Sequence, residues 1–87
     1  MRESVKWFAE QMEKTLKNND HKHGWNMCSF AYLFSALSAE RDELLLSMFR
    51  QSKPTKAQQE IIMKECTDVA NFAMMIADNI INRRGVW

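Results

Sequence analysis

The chain has 87 residues, so a single domain spanning 1–87 is expected, with a modest core of the kind that often needs a metal, disulfides or a partner subunit. At 46% hydrophobic and 26% charged it has an ordinary globular balance, and a formal net charge of +1 excludes a global electrostatic drive toward nucleic acid polymers or anionic membranes. Two glycines and one proline leave few turns, so an all-α protein follows.

The two cysteines, Cys28 and Cys66, form neither a spaced metal motif nor a disulfide framework, which fits a reduced, cytoplasmic compartment. The opening MRESVKWFAEQMEK lacks the unbroken apolar run of a signal peptide, and no apolar segment approaches membrane-spanning length.

The first element reads from Val5, Phe8, Met12 and Leu16, which fall at helical spacing with Lys and Glu on the other side. A helix over about residues 4–18 is predicted from that pattern, with Ser4 as its N-cap and Asn18-Asn19-Asp20 as its stop. The loop NNDHKHGWN follows. It holds both histidines, a lysine, a glycine and a tryptophan.

Ser29 is placed to cap a second helix. Leu33, Leu37 and Leu44 share a face with Glu40, whereas Phe30, Phe34, Leu45, Met48 and Phe49 lie elsewhere around the helix. A helix apolar on more than one side must be covered on more than one side, so self-association is expected. This helix should end near Arg50-Gln51-Ser52, and Pro54 marks the break. Thr55 and Gln58 match a capping box. A third helix then runs to about Asn82, before the stop at Gly85. Its stripe reads Ile61, Glu65, Asp68, Val69, Phe72, Ile76 and Ile80. The architecture expected is an antiparallel helix hairpin plus an N-terminal helix, completed as a four-helix-bundle core through oligomerisation.

Two acidic pairs interrupt these stripes: Glu40 and Glu43 in SAERDELLL, Glu65 and Asp68 in KECTDVANFAMMI. Spacing of three keeps each pair on one helix face. From Glu43 to the end of its helix is roughly 12 Å, and from the Thr55 cap to Glu65 roughly 15 Å, at the α-helical rise. A short connection folds the helices back antiparallel, and the pairs then meet at one level. Four carboxylates across a seam repel, take up protons or force the seam apart. A hard divalent cation removes that conflict. A dinuclear iron site is disfavoured, since no histidine follows either pair. The alternative is that the acids lie on solvated faces, paired with Arg41, Lys64 or Arg83.

The pattern Glu40-x-x-Glu43, a 21-residue gap, then Glu65-x-x-Asp68 resembles the signature of the MazG-like, all-α nucleoside triphosphate pyrophosphohydrolases. WFAEQMEKTLKNNDHKHGW is similar to their first helix and loop, and KECTDVANFAMMIADN to the second half of their motif. The resemblance implies hydrolysis of (deoxy)nucleoside triphosphates to monophosphate and pyrophosphate by a dimer or tetramer, in nucleotide-pool cleansing. Glu40, Glu43, Glu65 and Asp68 would hold Mg²⁺ or, in its place, Mn²⁺, and Glu40 or Glu43 would orient the attacking water. Lys22 and Trp25 would belong to the substrate loop, Asn71 would lie near the sugar or metal shell, and Arg83 and Arg84 are the candidates for late phosphate contacts. The loop departs from the family's pattern at His23.

The loop residues also carry a reading of their own. Trp25 offers a flat face for a base or an anchor for the core. Lys22 offers a point charge, and His21 or His23 a hydrogen bond or a solvated loop position. Asn71 is equally suited to substrate contact and to interhelical bonding. Met48, Met74 and Met75 read as core filler. Trp7 and Trp87 read as cover for a dimer seam, Trp87 equally as a disordered terminus. Two other function classes remain open: a non-catalytic helical interaction module, and a nucleotide-binding regulator.

Overall fold

A computed structural model describes residues 1–19, 24–49 and 53–87 of the chain. Three helices make up its regular structure: α1 (Glu3–Asn18), α2 (Phe30–Phe49) and α3 (Lys56–Ile81). The expected all-helical architecture is present, with bounds close to those read from periodicity.

The caps explain the bounds. At the start of α3 the Thr55 hydroxyl accepts from the Gln58 backbone N–H (3.3 Å), and the Gln58 side-chain Oε1 accepts from the Thr55 backbone N–H (2.7 Å). This reciprocal box satisfies two donors that a helix start leaves free. Ser29 accepts from the Tyr32 N–H at 3.0 Å, as expected of a cap on α2. Ser4 does not cap α1. Arg2 occupies the N-cap position without a side-chain bond, and Ser4 falls inside the first turn. Glu3 in that turn faces the positive end of the helix dipole and offsets the missing cap.

Helix α3 is the centre of the fold, and both other helices pack on it rather than on each other. Their directions follow from their contacts. As α1 advances from Met12 to Thr15, its partners on α3 step back from Asn71 to Thr67, so the two run antiparallel. The first residue of α2 meets the residues just beyond α3: the Phe30 N–H donates to the Val86 carbonyl at 2.7 Å. Helices α2 and α3 are therefore antiparallel as well, and the two acidic pairs are carried toward each other.

A helix between two neighbours has two contact faces, and this accounts for a departure from the apolar stripe read on α3. Ile61 and Ile80 are about half exposed, and the most deeply buried positions of α3 are Thr67, Asn71 and Asn79. The seam with α1 is polar. Thr67 donates back to the Lys64 carbonyl (2.7 Å), which leaves its lone pairs for the Thr15 hydroxyl at 3.0 Å. Asn71 Nδ2 donates across the seam to the Met12 carbonyl at 3.3 Å. The apolar core proper lies at the start of α2, in Leu33 and Phe30.

Beyond α3 the chain reverses through Arg83, in the left-handed region (φ 56°), and Gly85 (φ 87°). It then forms a single parallel bridge between Ser29 and Val86. The Trp87 ring packs on Phe30 with centroids 4.5 Å apart, so this terminus is ordered against α2. Met48, expected in the core, is 55% exposed, and with Phe34 (63%) and Leu45 (50%) it leaves an apolar stripe of α2 uncovered within the chain. No helix among the described residues is long and apolar enough to cross a membrane.

Gly85 is the backbone position that admits no side chain. A Cβ there would stand 3.0 Å from the Phe30 ring and 3.3 Å from the Asn79 amide, on a backbone that L-residues rarely adopt. Gly85→Ala is expected to lower stability by about 1–3 kcal/mol, from strain and overpacking together, read from urea unfolding.

Candidate acidic site and adjoining cavity

Glu40 and Glu43 project from the middle of α2, and Glu65 and Asp68 from the middle of α3. Glu40, Glu65 and Asp68 are half-buried, while Glu43 is exposed. The Glu40 carboxyl is pushed above the ordinary glutamate range. Burial is the main cause, then the charge of Asp68 on the facing helix, then that of Glu43 one turn along, with Lys64 opposing them. Three of the four acids thus share one electrostatic neighbourhood across the seam, at the level the helix lengths predict.

The fourth acid, Glu65, buries its Oε1 without a hydrogen-bond partner. Burial raises the thiol of Cys66 beside it, and the Glu65 charge adds to that shift. Lys64 supplies positive charge at the group's edge, with its ammonium 3.2 Å from Asp68 Oδ2. Arg41 turns instead to its exposed neighbour Asp42 (2.9 Å), a surface pair of little energetic weight.

The donors are all carboxylate oxygens, which fits a hard divalent cation in kind, and the orphaned Glu65 oxygen is a free donor for one. Among the described residues no three His, Cys, Asp or Glu side chains stand close enough to hold one ion between them.

Beside the acids lies a cavity of about 420 Å³. Leu16 of α1, Trp25 and Cys28 of the connecting loop, Leu33 of α2, and Phe72 and Met75 of α3 give it apolar walls, and Thr15, Asp68 and Asn71 give it polar ones. Its size and its mixed lining are those of a small-molecule pocket. Asp68 belongs to both features: it lines the cavity and faces Glu40.

Asn71 is 3% exposed, and the bond to Met12 fixes its amide with Oδ1 left unpartnered. Of its two expected roles, the nitrogen performs the interhelical one. Trp25 is half-buried on the cavity wall. Its indole N–H donates to Asp78 Oδ2 at 3.0 Å, and its backbone carbonyl accepts from Asn79 Nδ2 at 3.0 Å. Asp78 is also paired with Arg84, and Asn82 Nδ2 donates to its Oδ1 at 3.0 Å. The indole bond is the largest cause holding the Asp78 carboxyl below its ordinary range, and the Arg84 charge follows among the lowering influences.

His21, Lys22 and His23 lie outside the described residues. Arg83 is exposed and does not line the cavity; it follows Asp68 by fifteen residues, or roughly 22 Å at the helical rise. Sequence reasoning passed over Asp78 and Asn79. Their signal was a polar pair in AMMIADNI, where the apolar run of α3 continues on both sides.

The raised Glu40 carboxyl makes the folded chain bind protons that the unfolded chain has released. Its contribution to stability is present at low pH and falls as pH rises from the ordinary glutamate range through the raised value. The lowered Asp78 acts in the opposite sense, contributing above its ordinary range and losing that contribution as pH falls. Comparing the wild type with Glu40→Gln isolates the first effect. In EDTA the variant should melt higher than the wild type at pH 8, with the gap closing by about pH 4, where a glutamate is largely protonated in either state.

No family model, curated protein or solved structure matches this chain, so its fold and its site stand on their own geometry.

Proposed function

We propose that the chain is a divalent-metal-dependent nucleoside triphosphate pyrophosphohydrolase acting as a homo-oligomer. The observation that carries this reading is the position of Asp68, shared by the acidic group and by a cavity of ring-binding size. A nucleotide needs both: a dry, partly apolar slot for its base, and hard positive charge for its phosphates a few ångströms away. The MazG-like spacing of the acids agrees with that division of labour.

Glu40, Glu43, Glu65 and Asp68 would hold Mg²⁺, or Mn²⁺ in its place, which supplies neutralisation of phosphate oxygens and a water of lowered pKa when bound. The protein's own residues then bind and orient. Trp25 and Phe72 flank the base in the cavity. Asn71 Oδ1 offers an acceptor to a ring N–H or amino group. Glu40, or Glu43 beside it, would orient or deprotonate a water attacking in line at the α-phosphorus. Electrostatic positioning rather than covalent chemistry supplies the rate.

Pyrophosphate release from a panel of ribo- and deoxynucleoside triphosphates, with Mg²⁺ and with EDTA, tests the reading. Turnover with metal is expected for at least one nucleotide, and Asp68→Asn should lower it by about a hundredfold or more while the helical signal stays intact. Mg²⁺ alone should stabilise the wild type by about 2.7 kcal/mol at a hundredfold excess over its Kd. Absence of pyrophosphate with every nucleotide removes the proposal.

The uncovered stripe of Phe34, Leu45 and Met48 supports the oligomeric part, with a second copy completing a four-helix bundle. The same stripe also suits a non-catalytic helical interaction module. Leu45→Glu would place an unpaired charge in a covered seam. Sedimentation should then show a fall from a multiple of 10.3 kDa to the single-chain mass. A wild type that already sediments as one chain removes the bundle.

A further inference from the structure

We propose that Asp78, backed by Arg84, is a positioning residue that fixes Trp25 as a rigid wall of the cavity, so that the grip on a planar ligand depends on the chain beyond α3. The proposal rests on reading the cavity as a base site, and its test separates the two.

Trp25 sits in the irregular segment between α1 and α2, where no helix ladder holds it. Both of its polar ends are nonetheless taken, and by adjacent residues of the last turn of α3. Asp78 accepts the indole proton and Asn79 donates to the carbonyl, each at 3.0 Å. Asn79 is fully buried, so its bond is shielded from water. Asp78 is held in turn by Arg84, on the same carboxylate oxygen that accepts the indole proton. Arg84 is itself fixed by its backbone N–H on the Asn79 carbonyl (2.7 Å), and the next residue, Gly85, donates to the Asn26 carbonyl at 3.1 Å. The segment beyond α3 thus closes a ring of bonds around one tryptophan.

The purpose of such a ring follows from what Trp25 faces. A wall against which a planar ligand stacks gains from a fixed ring plane, because a mobile indole gives up its freedom on binding and a fixed one does not. Asp78 does not itself line the cavity and reaches it through its bond to Trp25. Arg84 keeps 38% of its side-chain surface exposed although its Nε is buried without a partner, so the helical signal of each variant below is checked first.

The test uses Asp78→Leu, of the same branching but with no acceptor; Asp78→Asn, which keeps an oxygen for the indole proton; and Trp25→Phe. Two readouts are taken on the full chain: KM against kcat for the best nucleotide, and solvent exchange of the Trp25 indole proton by ¹⁵N NMR, assigned by its disappearance in Trp25→Phe. Asp78→Leu is expected to raise KM about tenfold with kcat within about twofold, the pattern of lost binding rather than lost chemistry. Asp78→Asn should recover most of the loss, and Asp78→Leu should add nothing in the Trp25→Phe background. The indole proton should exchange slowly in the wild type and in Asp78→Asn, and fast in Asp78→Leu. A folded Asp78→Leu protein with unchanged KM, or with a still-protected indole, overturns the proposal. If the wild type hydrolyses no nucleotide, the base-site reading fails separately, and the indole exchange alone decides whether Asp78 holds the ring.

Discussion

The fold depends on one helix serving two partners that do not touch each other. Helix α3 carries α1 on one side and α2 on another, so the packing of helix on helix passes through it. The two seams differ in chemistry. The seam with α1 is a short ladder of hydroxyl and amide bonds, whose directionality sets register. The seam toward α2 is built on Leu33 and Phe30 and tolerates the acidic groups further along. A polar seam specifies where α1 stops sliding, and an apolar one supplies most of the burial.

The acidic group exists because of that arrangement. Carboxylates on one isolated helix would stay solvated at little cost. Antiparallel packing brings Asp68 into range of Glu40 and strips part of the water from both, and burial is the leading influence on the Glu40 proton. Lys64, one turn before Asp68, tempers the repulsion without cancelling it. The chain carries local strain in its charge distribution at the point where its cavity opens, which is where a ligand of opposite charge gains most.

Periodicity made the three helices legible, together with their antiparallel return and the level of the acids, because each depends only on spacing along one chain. The Thr55–Gln58 box was legible for the same reason: its partners are three residues apart. What stayed hidden was long-range. Asn71 was legible as an amide in need of partners, but nothing in the sequence singled out Thr67 or Asn79, and only the presence of a neighbour on each side of α3 explains their burial. The roles of Asp78 and Arg84 depend on a reversal through Arg83 and Gly85 that no helical pattern encodes. Ser4 misled because a good capping residue near a helix start was two positions too deep.

The bond from Phe30 to Val86 ties the opening of α2 to residues near the far end of the sequence. During synthesis, α1 and most of α2 leave the ribosome long before Val86 does. The leading amide of α2 therefore stays open to water until Val86 has emerged, and the contact that closes this end of the helix is a late one.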